Sequence, residues 1–279
     1  MRILIAGATG VLGSRLTARL RTAGHAVVGT TRSRERFGLI EAAGGEPVVM
    51  DALDREAVHD VVAAVRPDVI VHELTDLAGF DFAASDRLRV EGTPNLVDAA
   101  LAAGVGRMIA QSISWTYAPA DDPARESEPF AIDAVTGEHP HEPVEVLERE
   151  VARMPVGTVL RYGLFYGPGT WYAADGAYTR KAAAGEVVAT TDRTSWVHVD
   201  DAVDATVLAL DWPSGPVNIV DDEPCRLADW GPVLARRAGF DGAPSLTPRA
   251  PGRAADNGLA RSRGWVPAHP DWRTGLGLG

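Results

Sequence analysis

Three glycines, Gly7, Gly10 and Gly13, punctuate the first thirteen residues, MRILIAGATGVLG, and their setting leaves few folds open. The run Arg2-Ile3-Leu4-Ile5-Ala6 is short and apolar, the pattern of a strand buried on both faces. From Ser14 to Leu20 the apolar Leu16 and Leu20 stand at helical spacing. A strand, a glycine-rich turn and a helix in that order can hold a dinucleotide. Gly7 would permit the tight turn, Gly10 would leave no side chain between backbone and pyrophosphate, and Gly13 would let the helix lie close on the strand. The free N–H groups of the helix terminus then face phosphate. The bland alternative is a tight strand–helix turn with no ligand.

More alternation of the same kind follows. Ala26–Thr31, Glu46–Asp51, Asp68–His72, Gly106–Gln111 and Thr158–Tyr162 read as further strands, and Val217–Val220 as a last central one. Helices are expected at Asp54–Val65, from about Ala84 to Ala103, at about Val144 to Arg153, at Asp201–Leu210 and around Asp229–Ala238. Five βα units in series predict an α/β, doubly wound parallel sheet with ligands outside the carboxyl ends of its strands. The expected division is a dinucleotide-binding domain of residues 1–165, rejoined by 195–221, and a small C-terminal substrate lobe of 166–194 and 222–279. No internal repeat is evident.

The bulk properties narrow the partners. A net charge of −11 argues against nucleic acid and anionic membranes. No apolar run approaches about 18 residues, and no signal peptide is evident, so no membrane span is expected. Cys225 is the only cysteine, which excludes an internal disulfide and fits a reducing cytoplasm. A small-molecule substrate and a monomer or homodimer are the remaining expectation. Without a cysteine cluster or an HxxxH pair, no metal site is expected.

The second strand ends in Thr31-Arg32-Ser33-Arg34-Glu35-Arg36. This is where such folds read the adenosine ribose, with an acid for the 2′-OH of NAD or an arginine for the extra phosphate of NADP. No Asp or Glu closes the strand. Thr31, Arg32 and Arg36 therefore point to NADPH, with NADH as the second possibility and a solvated basic turn as the plain alternative. Asp51 and Ala52 would pass near adenine, although Asp51 could equally cap the helix that begins at Arg55. Glu73, Leu74 and Thr75 end the fourth strand over the expected cofactor. His72 reads as a packed strand residue. Gln111, Ser112, Ser114, Trp115 and Tyr117 reach the same carboxyl edge from the fifth strand.

In order along the chain, Gly7-Ala8-Thr9-Gly10-Val11-Leu12-Gly13, Gly92-Thr93-Pro94-Asn95-Leu96, Leu160-Arg161-Tyr162-Gly163-Leu164-Phe165-Tyr166-Gly167-Pro168-Gly169 and Val197-His198-Val199-Asp200-Asp201 resemble the extended and atypical short-chain dehydrogenases/reductases, the NAD-dependent epimerase/dehydratases. Asn218-Ile219-Val220-Asp221-Asp222 also fits. The resemblance implies that Gly7, Thr9, Gly10, Val11, Leu12 and Gly13 hold the pyrophosphate. It implies that Leu74 and Thr75 line the ribose path and that Tyr162, Gly163, Leu164 and Phe165 approach the nicotinamide. The loop carrying Tyr166, Trp171 and Tyr172 would form a substrate wall with Trp115 and Tyr117, or else a packed lid.

The family's chemistry uses a Tyr-x-x-x-Lys pair, in which the ammonium lowers the phenol pKa and the tyrosine exchanges a proton with the substrate oxygen. This sequence cannot contain it. Its one lysine, Lys181, follows Ala177 by four places, and the expected helix reads Pro143-Val144-Glu145-Val146-Leu147-Glu148-Arg149-Glu150. Ser112 and Ser114 remain as groups that could hydrogen-bond a carbonyl oxygen. His139 and His141 read as solvated loop residues, His198 as structural, and Glu145 and Glu148 as water-facing. Some atypical members similar to this chain also lack the pair, including ketoreductases of actinobacterial polyketide pathways such as simocyclinone biosynthesis. There a phenol on the substrate can supply the proton. The implied function is NADPH-dependent reduction of a ketone on a secondary metabolite, an aromatic polyketide such as an angucyclinone. The alternatives are a nucleotide-sugar epimerase or dehydratase, and a non-catalytic NADP(H)-sensing regulator.

Overall fold

In a computed structural model, Ile3, Leu4, Ile5 and Ala6 have no exposed surface, because the strand they form, β1 (Arg2–Ala6), has a neighbour on each side and helices on each face. The structure describes residues 1–77, 82–131, 141–186, 188–190, 193–242, 245–247 and 252–276. With β2 (Ala26–Thr31), β3 (Glu46–Val49), β4 (Val69–His72), β5 (Arg107–Ile113) and β6 (Val156–Tyr162), β1 belongs to a seven-stranded parallel sheet. Short strands follow: β7 (Leu164–Tyr166), β8 (Val188–Thr190), β9 (Arg193–Thr194) and β10 (Trp196–His198). The last sheet strand is β11 (Gly215–Ile219), and β12 (Cys225–Arg226) and β13 (Ser245–Thr247) complete the set. The sheet order is β11-β6-β5-β4-β1-β2-β3. The chain builds outward from β1 through β2 to β3 and then returns to place β4 on the other side of β1. The order therefore reverses between β1 and β4, the place where doubly wound sheets open a crevice.

The helices of this part are α1 (Val11–Thr22), α2 (Phe37–Ala42), α3 (Arg55–Val65), α4 (Phe82–Arg87), α5 (Thr93–Ala102) and α6 (Glu142–Val151). In α3 the buried Val58, Val62 and Val65 recur on one stripe. Asp54 caps this helix, its Oδ1 accepting from the Ala57 N–H at 3.1 Å. That settles the alternative left open for Asp51, whose Oδ1 instead accepts from the Leu53 N–H at 3.0 Å. The single helix expected over residues 84–103 is interrupted. A π-helical turn, Leu88–Gly92, joins α4 to α5. It tucks Arg89 inside, paired to Asp86 at 2.8 Å, and brings Gly92 so near Ala52 that an added Cβ would lie 3.3 Å from the Ala52 methyl.

The chain divides into two compact units. The first comprises Met1–Ser112, Glu142–Leu160 and Val203–Pro216. Its core packs Leu4, Ile70 and Met108 of the sheet against Val58, Val62, Leu96 and Leu147 of the helices. The second comprises Ile113–His141, Arg161–Ala202 and Val217–Gly279, and its core is aromatic. Trp196 and Trp230 stack with ring centroids 4.5 Å apart, and Tyr172 meets both rings edge-on at 4.8 Å. Among the described residues no helix is long and apolar enough to cross a membrane.

Candidate functional site

The glycine turn has the geometry its spacing implies. Gly7 sits at φ +94°, and a Cβ there would lie 2.7 Å from the Glu73 carbonyl oxygen. A Cβ on Gly13 would lie 2.2 Å from the Gly7 carbonyl oxygen, so α1 can approach β1 only without it. Gly10 differs: its added Cβ would meet only the Gly7 oxygen, at 3.3 Å, and otherwise open space. Gly10 is also the N-cap of α1, with no side-chain hydrogen bond at the cap and no acid in the first turn. Among the described residues the opening amides at Val11, Leu12 and Gly13 therefore have no side-chain acceptor, and no acid in the first turn compensates the positive end of the helix dipole. This cradle fits a pyrophosphate.

The surrounding residues fall into place along the carboxyl edge. Thr31 is buried at the end of β2, its hydroxyl accepting from the Ser33 N–H at 3.3 Å. Arg32 Nη2 pairs with Asp76 Oδ2 at 3.1 Å, with side chains 63% and 31% exposed. Arg36 Nη2 donates to the Thr9 carbonyl oxygen at 3.2 Å, bracing the glycine turn. Ala52 is buried, and its carbonyl oxygen accepts from Asn95 Nδ2 at 2.9 Å. The Leu74 N–H donates to His72 Nδ1 at 3.2 Å, which leaves the His72 Nε2 proton to donate to Thr93 Oγ1 at 2.9 Å. Burial, aided by Arg89, lowers the His72 pKa to about 4, so this imidazole is neutral and structural. Leu74, Thr75 and Gln111 are partly exposed at the same edge.

The two serines separate. Ser112 Oγ donates to Glu148 Oε1 of α6 at 2.8 Å, so its hydroxyl proton is already engaged and Glu148 does not simply face water. Ser114 is buried, its N–H donates to the Tyr162 carbonyl oxygen at 2.9 Å, and its hydroxyl has no partner among the described residues. The candidate substrate aromatics also separate. Tyr117, Tyr166 and Tyr172 are interior. The Tyr117 hydroxyl donates to Asn218 Oδ1 at 2.7 Å and accepts from Arg161 Nη1 at 2.7 Å. The Arg161 guanidinium lies 4.5 Å over the Phe130 ring. Tyr166 and Tyr172 belong to the tryptophan core, where burial pushes both phenols well above their ordinary pKa. The packed lid is thus the correct reading of these two, whereas Trp115, Phe165 and Trp171 keep partial exposure. Tyr162 is buried with its ring 5.2 Å from Phe165, and Gly163 passes so close to Trp196 that a Cβ would lie 2.7 Å from its carbonyl carbon.

Sequence reasoning passed over two features. His198, Asp201 and His269 gather within 4.8 Å, a set that could hold a metal ion. Their bonds are otherwise engaged. Asp201 accepts from the Ala268 and His269 N–H groups at 3.0 and 2.9 Å and from His269 Nδ1 at 3.1 Å, while the two imidazoles stack at 3.7 Å. The cluster ties the segment at residues 265–271 to α8 (Val199–Leu208). The second feature is the burial of Glu73, which the sequence places at the end of the fourth strand over the cofactor and which is only 5% exposed. His139 lies outside the described residues, and His141 immediately precedes α6.

Comparison with known proteins accords with this geometry. The model of the NAD dependent epimerase/dehydratase family matches residues 3–220. A Streptomyces protein named 3-diazoavenalumate denitrifying reductase is 42% identical, over 99% of this chain and 99% of its own length. The Bordetella bronchiseptica enzyme WbmG, solved with NAD and UDP, superposes with a TM-score of 0.81 at 20% identity, covering 100% of this chain and 93% of that one. The UDP-glucose 4-epimerase of Thermus thermophilus, solved with NAD, gives 0.76 at 21% identity, covering 96% and 94%. At such identities the two solved structures establish the fold alone. The matched span runs from the glycine cradle to the end of the sheet and the Streptomyces reductase is alike from end to end, so the chain belongs to the NAD-dependent epimerase/dehydratase family and is an NAD(P)-dependent oxidoreductase.

Proposed function

We propose that this protein is a nicotinamide-dependent reductase that delivers hydride to a diazo group on an aromatic small molecule, with release of N2. The observation that carries the reading is the absent Tyr-x-x-x-Lys pair. The only lysine, Lys181, lies in α7 (Ala177–Ala183) without a tyrosine four places before it, and α6 has neither residue. A ketone needs a proton as well as hydride, because the product is an alcohol. An aryl diazonium does not. Hydride on its terminal nitrogen gives an uncharged aryldiazene, whose N–H exchanges with water, and loss of N2 transfers one hydrogen to the ring carbon. Atoms and charge balance with nothing taken from the protein. The full-length similarity to a reductase named for denitrification supports the same acceptor. The bound cofactor supplies the hydride. What this chain supplies is the pyrophosphate cradle at Gly7–Gly13 and, at the carboxyl edge, positioning, which can lower a barrier by up to about 7–11 kcal/mol.

The test is direct. With 4-diazobenzenesulfonate carrying 15N2 and with NADPH, the expected result is labelled N2 and benzenesulfonate in one-to-one ratio with oxidised cofactor. Cofactor oxidation with an aryl ketone but none with the diazonium would overturn the reading.

One observation favours a second acceptor, the aryl ketone of a polyketide. The Ser114 hydroxyl is buried without a partner among the described residues and could donate to a carbonyl oxygen, with a neighbouring phenol of the substrate supplying the proton. Under that reading Ser114→Ala slows ketone reduction by roughly ten-fold or more, the range of one hydrogen bond. Ser112→Ala does not, because its hydroxyl is engaged by Glu148.

NADPH is the proposed cofactor, with NADH second. Among the described residues Arg32 is held by Asp76 alone, in an exposed ion pair of the kind worth about 0–1 kcal/mol, and a phosphate dianion competes easily for it. Calorimetry is expected to show Arg32→Ala weakening NADPH about ten-fold with NADH unchanged. Asp76→Asn should tighten NADPH roughly two- to five-fold. Equal effects on both nucleotides would remove the phosphate reading.

A further inference from the structure

Glu73 stands at the point where the sheet order reverses. Its N–H donates to the Ala6 carbonyl oxygen at 2.8 Å, which continues the parallel register of Ala6 with His72 and sets Glu73 beside Gly7. On its other flank the register of His72 with Ala110 runs on to Gln111. Strand alternation turns its side chain to the face opposite His72, away from Thr93 and α5. Gly7, Glu73 and Gln111 thus lie side by side at the carboxyl edge, and the Glu73 backbone is what the missing Cβ of Gly7 makes room for.

The carboxyl itself is buried, and neither oxygen has a hydrogen-bond partner among the described residues. Gly7 and Gln111, its flanking residues, carry no charge. The first turn of α1 has no acid, Arg15 donates to the Val11 carbonyl oxygen, and Arg89 is bonded to Asp86. Desolvation alone pushes the Glu73 pKa well above the usual carboxylate range, so burial favours the neutral form of this carboxyl. A neutral carboxylic acid has one proton to donate, and a buried donor without an acceptor is costly enough that native structures seldom keep one without a reason. The described residues offer it no acceptor. A dinucleotide bound across the β1/β4 crevice carries many, in its phosphates and ribose hydroxyls.

We propose that Glu73 is a positioning residue of the dinucleotide site, donating the hydrogen of its carboxylic acid to an oxygen of the bound nucleotide. The inference rests on the nicotinamide reading above. It assigns to the end of β4 a polar contact that complements the backbone N–H groups of the glycine cradle, and it places a donor where an ionised carboxylate would repel the ligand. Glutamine keeps a neutral donor at this position and leucine removes it.

The test compares wild type, Glu73→Gln and Glu73→Leu, each checked for folding by circular dichroism, with NADH as the probe in calorimetry at pH 6. The expected order is wild type and Glu73→Gln within about three-fold of each other, and Glu73→Leu about ten-fold weaker, the loss of one hydrogen bond. Isotope-edited infrared spectroscopy of wild type should show the carbonyl band of a protonated carboxyl that both variants lack, and NADH should shift that band. Equal binding by Glu73→Leu, or a band unmoved by NADH, overturns the proposal while leaving the cofactor reading intact. Folded wild type that binds no NADH or NADPH overturns both. If Glu73→Leu does not fold, the infrared shift and the Glu73→Gln affinity decide alone.

Discussion

Gly13→Ala is expected to abolish measurable binding of NADH and NADPH, a loss of at least ~100-fold, and to lower stability by about 2–4 kcal/mol. The new methyl would lie 2.2 Å from the Gly7 carbonyl oxygen and 2.9 Å from the Ala8 Cα, and both neighbours are backbone that cannot rotate aside. Relief requires α1 to move off β1. That movement carries away the opening amides of the helix and loosens Leu16 and Leu20, both buried beneath it. Alanine's better helix propensity returns at most ~1 kcal/mol, too little to offset the clash. The control is Gly106→Ala, where an added Cβ meets nothing within 4 Å. It should bind both nucleotides as wild type does. Calorimetry and thermal melts of the two variants check the result, and a folded Gly13→Ala protein with normal affinity would remove the cradle from its role.

A second large effect concerns acid–base balance in the aromatic unit. Asp221 is 3% exposed, and desolvation, with Asp201 and Asp222 adding repulsion, pushes its carboxyl up to about 8. The nearby Tyr166 hydroxyl and His198 backbone oppose that rise without cancelling it. The folded chain therefore binds this proton more tightly than the unfolded chain. The stability contributed is fully present below the ordinary carboxylate range and is lost as pH rises through about 8. Asp221→Asn removes this dependence. The variant is expected to match wild type near pH 4–5 and to exceed it by a few kcal/mol at pH 9, a Tm difference on the order of 10 °C. Parallel Tm curves for the two proteins between pH 5 and 9 would show that Asp221 ionises freely in the fold.

The glycine cradle was legible because the signal that marks it is local: a strand, three glycines and a helix within about twenty residues. The sheet followed from the βα alternation for the same reason. Most of the positions left open or misread depend on partners far away in sequence. Nothing near Tyr166 and Tyr172 says whether an aromatic loop faces a ligand or a core. Trp230 and Trp272 bury it, and they lie more than fifty residues further on. Ser112 looks available until Glu148 arrives, 36 positions later, on α6. Asp51 and Asp54 are both plausible caps, and only backbone geometry decides between them. The burial of Glu73 was hidden most completely, because the sequence places this acid at the end of β4 without saying what surrounds its carboxyl. Its burial follows from its neighbours at the carboxyl edge, where Gly7 and Gln111 flank it.

The division into two units also bears on how such a chain can be cut or recombined. The polypeptide passes from one unit to the other five times, at 112/113, 141/142, 160/161, 202/203 and 216/217, and three of these passages fall inside β5, β6 and β11. Neither unit is a contiguous stretch, so no truncation isolates one of them and no single crossover between two genes exchanges one whole. Each unit also needs residues from early and late in the chain, which raises the sequence separation of its contacts and slows its assembly. A change of specificity in this architecture has to come by substitution within segments, because neither half can be exported as a module.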